Sequence, residues 1–227
     1  IRLAPFSSSS GPWDPDSLVW IIRCSLGTTR ACCLVMQSSR SPLLWRNLKA
    51  SCDPSRGWEM TDARGFLHGA DFSQRDVGAA ADDQFRLRWS PRAMSGQALT
   101  MAELQVLCEA GRWAPSCFNS QPWRFVYALP NTPQWQPMFD LLMDVNQLWA
   151  AKAGALVALV SRTHFEANDA PAPTHSFDAG SAWMSIALQA QYMGLAAHAM
   201  WGFHHDQAPA TLNLSDRFTT QALIALG

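Results

Sequence analysis

From residue 100 onward, apolar and polar positions follow two rhythms, one stepping by three or four and one forming short continuous runs. Thr100 and Glu103 have capping-box spacing, with hydroxyl and carboxylate each meeting a free amide of a first helical turn. That box opens a helix through Leu104, Leu107 and Ala110, ended by Pro115. Trp123–Leu129 reads as a strand stopped by the Pro130-Asn131 turn, and a helix from about Pro133 to Leu148 follows. The apolar run Gly154–Ser161 is the pattern of a strand covered on both faces. Ser176 then caps a long helix in which Ala179, Trp183, Ile186, Ala190 and Met193 share one side and Gly194 marks the stop. Ala182 and Ala187 widen its apolar face, so it belongs in the centre of the molecule or in a subunit interface. Ala196–Phe203 and Thr219–Leu226 are the remaining strands.

Residues 1–59 break with this order. They hold four of the six cysteines, a serine run at Ser7–Ser10 and prolines at Pro12, Pro15, Pro42 and Pro54, without sustained periodicity. Seven basic residues against four acidic ones give this segment +3, and the rest of the chain carries −4. Met60 opens a stretch that reads like an ordinary polar N-terminus. The expectation is therefore two parts: an atypical segment 1–59, disordered or outside the functional protein, and a single domain over 60–227.

Composition narrows the classes. The 227 residues are 48% hydrophobic and 15% charged with a net charge of −1, enough for a sizeable core and without the basic surplus of nucleic-acid or anionic-membrane binders. The most apolar stretch, Ser17–Met36, is interrupted by Arg23 and Arg30 and so cannot span a bilayer. It makes a poor signal peptide because its apolar part is short and no small-residue cleavage site follows cleanly. A cytoplasmic protein with no membrane and no nucleic-acid partner is expected. No Cys-x-x-Cys pair exists, and the adjacent His204-His205 reads as a pair of solvated loop residues, so reduced thiols and no metal site are expected.

Three short elements carry chemistry. Arg88-Trp89-Ser90-Pro91-Arg92 places two guanidiniums and a hydroxyl within five residues, able to wrap a phosphate or simply to face solvent. Ala114-Pro115-Ser116-Cys117-Phe118-Asn119-Ser120-Gln121-Pro122-Trp123 puts amide side chains between a helix and a strand. These could present donors and acceptors to a heteroaromatic edge, or stitch a turn. Met200-Trp201-Gly202-Phe203 ends a strand with a glycine that admits a flat ligand close to the backbone, or merely ends the strand.

In this order and spacing the three elements resemble the nitroreductase family, over about residues 86–227. Asn146-x-x-Trp149-x-x-x-Ala153 and Asp178-x-Gly180 also fit, and the A-P-S-x-x-N-x-Q-P-W loop is the most specific match. The resemblance implies an α+β, three-layer fold, a central mostly antiparallel sheet flanked by helices, in an intertwined homodimer with FMN at the interface. It assigns Arg88, Trp89, Ser90 and Arg92 to the FMN phosphate, ribityl chain and pyrimidine edge. Pro115, Ser116, Asn119 and Gln121 would line the flavin, partly from the other subunit, and Trp201 and Gly202 would bring backbone amides near its N5. It implies hydride transfer from NADH or NADPH through the flavin to a nitroaromatic, quinone or similar small-molecule acceptor, with no side chain demanded as general acid.

The family chain continues past its last strand into an arm that wraps the partner, whereas this sequence stops at Ala225-Leu226-Gly227. The expectation is a domain lacking that C-terminal arm. Two alternatives share these residues: a flavin-binding protein without turnover, and a flavin-consuming or dehalogenating enzyme of the same fold. The latter needs a substrate lid, for which the Thr163–His175 connection is short.

Overall fold

The computed structural model describes residues 78–79 and 81–227. The proposed division at residue 59, the Met60 start and the Ser17–Met36 stretch lie outside the described residues. Elements follow in the order α1 (Asp83–Leu87), α2 (Met101–Arg112), β1 (Trp123–Ala128), α3 (Trp135–Asp140), α4 (Asp144–Ala150), β2 (Ala155–Arg162), α5 (His175–Tyr192), β3 (Ala197–Met200), α6 (Ala208–Thr211) and β4 (Phe218–Leu226). The strands form one sheet in the order β1-β2-β4-β3, antiparallel at every pairing.

Alternation along the strands sends successive side chains to opposite faces and so builds two cores. On one face Trp123, Phe125, Val157, Leu159 and Ile224 pack against Leu104 and Leu107 of α2 and Ala179, Ala182 and Ile186 of α5. On the other Val126, Leu156, Val160 and Leu223 pack against Met138 of α3, Ala150 of α4 and Ala208 of α6. This is the expected three-layer α+β fold. Gly111 lets α2 sit tightly, since a Cβ there would lie 2.7 Å from Phe125 Cζ and 3.0 Å from Ile186 Cγ1. Burial pushes the Cys108 thiol in this core up to about 12, so it packs as a neutral group.

The Thr100 capping box forms as read, with Glu103 Oε2 2.7 Å from the Thr100 amide and the Glu103 amide 3.2 Å from Thr100 Oγ1. The strand ends at β1, β2 and β4 shift by one residue, and three elements differ further from the sequence reading. The single helix over 133–148 is two, because Leu142 leaves the helix to pair with Phe203 and the Met143 amide bonds the Gly202 carbonyl at 3.1 Å. The strand expected over 196–203 keeps ladder form only through Met200, since Phe203 has turned to that bridge. The long helix starts before Ser176: Thr174 occupies the cap position, but its hydroxyl donates to the Asp178 carboxylate at 3.2 Å instead of capping. Among the described residues no helix is long and apolar enough to cross a membrane.

Candidate functional site

The arginine segment is fixed from both sides. Asp82 caps α1 by accepting from the Gln84 amide at 2.9 Å, and Leu87 anchors the helix in the core. Tyr192, following α5 to its last residue, donates its hydroxyl to Gln84 Oε1. The chain then runs extended from Arg88, and the buried Pro91 carbonyl accepts from His198 Nδ1 of β3 at 2.9 Å. Since a carbonyl can only accept, this contact fixes the proton on Nδ1 of His198. Trp149 tilts over the same imidazole with centroids 4.5 Å apart. Arg88 Nη1 reaches Ser90 Oγ at 3.4 Å, and neither Arg88 nor Arg92 has an ion-pair partner among the described residues. Two guanidiniums four residues apart, one of them on the Ser90 hydroxyl and neither ion-paired among the described residues, suit an anion.

Gly202 lies on the same sheet edge, just past β3. Asn146 Nδ2 donates to its carbonyl at 2.9 Å, and a Cβ at this position would lie only 2.7 Å from that nitrogen. Its own amide donates to no described backbone carbonyl. Asn146 and Trp149, three apart on α4, thus face one edge together, Asn146 on Gly202 and Trp149 on His198. Trp201 is 70% exposed.

The polar loop is elsewhere. Ser116 Oγ accepts from the Gln121 amide at 2.9 Å, and the Asn119 amide bonds the Ser116 carbonyl at 2.9 Å, folding residues 116–121 into a compact turn. Gln121 Nε2 donates to Asn119 Oδ1 at 3.0 Å, so the two amides form one polar edge. Arg124, buried at the start of β1, donates to the Gln121 and Trp123 carbonyls at 3.1 and 2.7 Å. Asp178, 3% exposed in the first turn of α5, accepts from the Cys117 amide at 3.2 Å. Three residues of this loop that are not glycine sit in the left-handed region, Phe118 (φ 51°), Asn119 (φ 51°) and Gln121 (φ 46°). Asn tolerates this, whereas a bulky Phe there is strained by order of 1–3 kcal/mol. Pro115, Phe118 and Asn119 are exposed, and Ser116 and Gln121 are half-buried.

The predicted residues therefore fall into two groups. Arg88, Trp89, Ser90 and Arg92 come with Trp201 and Gly202 on the β3 edge, tied there by the Pro91–His198 bond. Pro115, Ser116, Asn119 and Gln121 precede β1, across the sheet, three strand spacings or roughly 14 Å away. The groups also mark opposite ends of α5, at Asp178 and at Tyr192, about 21 Å apart along its axis. One protomer does not bring them together. Sequence reasoning gave no role to His198, Arg124 or Asp178. A polar residue inside the Ala197–Met200 strand and a charge opening an apolar helix were the available signals.

The Nitroreductase family model matches residues 86–132, from the arginine segment through the polar loop and β1. A crystal structure of an oxidoreductase containing FMN is 40% identical, covering 70% of this chain and 81% of its own, with a TM-score of 0.66. A nitroreductase family protein from Streptococcus pneumoniae is 19% identical over 64% of this chain and 88% of its own, with a TM-score of 0.55, a likeness of fold alone. No curated protein matches the chain.

Proposed function

Since the chain belongs to the nitroreductase family, we propose that it is an FMN-dependent oxidoreductase, working as a homodimer, that moves hydride from NADH or NADPH to a flat small-molecule acceptor. FMN, when bound, supplies a ring that takes up hydride from the nicotinamide and gives it to the acceptor. The chain's own residues bind and orient it. Arg88, Ser90 and Arg92 hold the phosphate and the chain attached to it, and Trp89 completes that segment. Gly202 admits the ring edge and offers its amide, a preorganised donor where negative charge develops. Pro115, Ser116, Asn119 and Gln121 line the ring from the partner protomer.

One observation carries this reading: the two groups occupy opposite ends of α5 on a protomer that cannot join them. A twofold axis across α5 sets two such helices antiparallel, so the loop end of one meets the arginine end of the other. The outer stripe of α5 suits that contact, with Phe177 79% exposed, Met184 half-buried and open space around Gly180. The donor set suits the ligand as well: uncompensated guanidiniums for a phosphate, a free amide and a glycine for a ring edge, and paired amides for a heteroaromatic edge.

The test is a flavin titration of the purified protein, followed by anaerobic addition of each nicotinamide, with mass by light scattering. Stoichiometric FMN, bleaching by NADH or NADPH and a dimeric mass are expected. A monomer without flavin affinity defeats the proposal, and a flavoprotein that neither nicotinamide bleaches reduces it to a binding protein.

A further inference from the structure

The rings that follow β3 form a small built wall. Trp201 tilts against His205 with centroids 4.3 Å apart, and His205 lies 3.8 Å from the fully buried ring of Phe203. The imidazole therefore sits between an exposed indole and the core. Hydrogen bonds fix the backbone beneath it, since the Trp201 carbonyl accepts from the Phe203 amide at 2.9 Å and from His205 Nε2 at 3.0 Å. With His205 against one side of the indole, the Trp201 residue is still 70% exposed, directly before Gly202. Trp113 is 73% exposed too, but it is engaged by Arg112 at 4.5 Å over its ring and by a hydrogen bond to Glu109. Among the described residues Trp201 has only the wall behind it.

We infer that the Trp201 ring is a stacking platform that selects flat, electron-poor rings at the redox site, with His205 and Phe203 holding it in place. The inference rests on the flavin reading above, which puts Gly202 beside the reacting edge. An electron-rich indole next to that edge favours an offset stack with a quinone, a nitroaromatic or a nicotinamide. His205 acts through Trp201 and is a positioning residue.

The experiment is calorimetric binding of 2-methyl-1,4-naphthoquinone and, separately, of NAD+ to the FMN-loaded full chain without reductant, so that no turnover occurs. Trp201→Ala should weaken at least one of these about tenfold, the weight of one aromatic stack. Trp201→Phe should stay within about threefold because a ring remains, and His205→Ala should fall between the two. Loss for the quinone alone assigns the platform to the acceptor, and loss for both assigns it to a shared ring site. Unchanged affinities in Trp201→Ala, or equal losses in the Ala and Phe variants, overturn the platform. So does a Trp201→Ala chain that no longer takes up FMN, because Trp201 is then a flavin contact. A parent chain that binds no FMN fails the earlier reading instead, and the platform with it.

Discussion

Gly202→Ala tests the site at a single atom. The position lies outside the left-handed region, so the backbone does not bar an alanine. The cost comes from Asn146 Nδ2, which must retreat by about 0.7 Å, from 2.7 Å to ordinary contact at 3.4 Å. That retreat breaks its 2.9 Å bond to the Gly202 carbonyl. The carbonyl keeps the Met143 amide at 3.1 Å, so no acceptor is orphaned and the loss is one half-exposed hydrogen bond, about 0.5–1.5 kcal/mol. A urea melt should show a midpoint shift of that size with an unchanged slope. On the proposed reading FMN affinity should fall by more than tenfold, because the methyl group and the displaced Asn146 reshape the edge that Gly202 sets against the ring. Asn146→Ala serves as the control, giving up the same hydrogen bond without adding the methyl. If Gly202→Ala and Asn146→Ala lose flavin equally, the close approach at Gly202 is wrong; if Gly202→Ala binds FMN like the parent, the site is wrong.

Asp178→Asn removes a buried charge that accepts from the Cys117 amide and from Thr174, so stability should drop by about 1.5–3 kcal/mol and protease should cut within 115–121 sooner. An unchanged cutting rate would show that the loop does not depend on this contact. Gly111→Ala gains up to about 1 kcal/mol of helix propensity but forces a methyl to 2.7 Å from Phe125, for about 1–3 kcal/mol of overpacking. Net destabilisation in a denaturant melt is the expected sign. Burial holds His175 below its ordinary value, aided by His164 and opposed by Asp178. Its neutral form hydrogen-bonds Ser161 Oγ at 2.8 Å. The unfolded chain then binds the proton more readily, so this contribution is fully present above the unfolded value near 6.5 and is lost as pH falls from there through the lower folded value. Replacing His175 with Gln should flatten the stability profile between about pH 7 and 5, and an equally steep profile would place the titration elsewhere.

Much of the fold was legible because its signals are local. The capping box at Thr100 and the apolar run at Gly154–Ser161 depend on neighbours within a few residues, and both elements appear as read. The misread boundaries are settled at long range. Nothing near Leu142 announces that it will leave its helix to pair with Phe203, a partner 61 residues away in sequence. Ser176 looks like a cap by composition, yet the helix has already begun at His175, and the Thr174 hydroxyl at the cap position serves Asp178, whose other contact lies on a different loop. The site is split likewise. The motifs supplied the candidate residues, while His198, which docks the arginine segment on β3, is visible only in three dimensions.

The split itself yields the sharpest remaining prediction. In the isolated protomer Gly180 is harmless to change: a Cβ there meets nothing within 4 Å, and an exposed helical glycine replaced by a better helix former gains about 0.5–1 kcal/mol. Gly180→Lys should therefore fold at least as well as the parent if α5 faces solvent. If two copies of α5 pack antiparallel, the same change buries a long charged side chain at the contact and pushes the helices apart. The loop beyond Asp178 then no longer reaches the partner's arginine end, so the dimer and FMN affinity should fail together while the protomer stays folded. Light scattering, a flavin titration and circular dichroism on one sample separate these cases. A folded, dimeric and flavin-binding Gly180→Lys chain would mean that the two half-sites are joined across some surface other than α5.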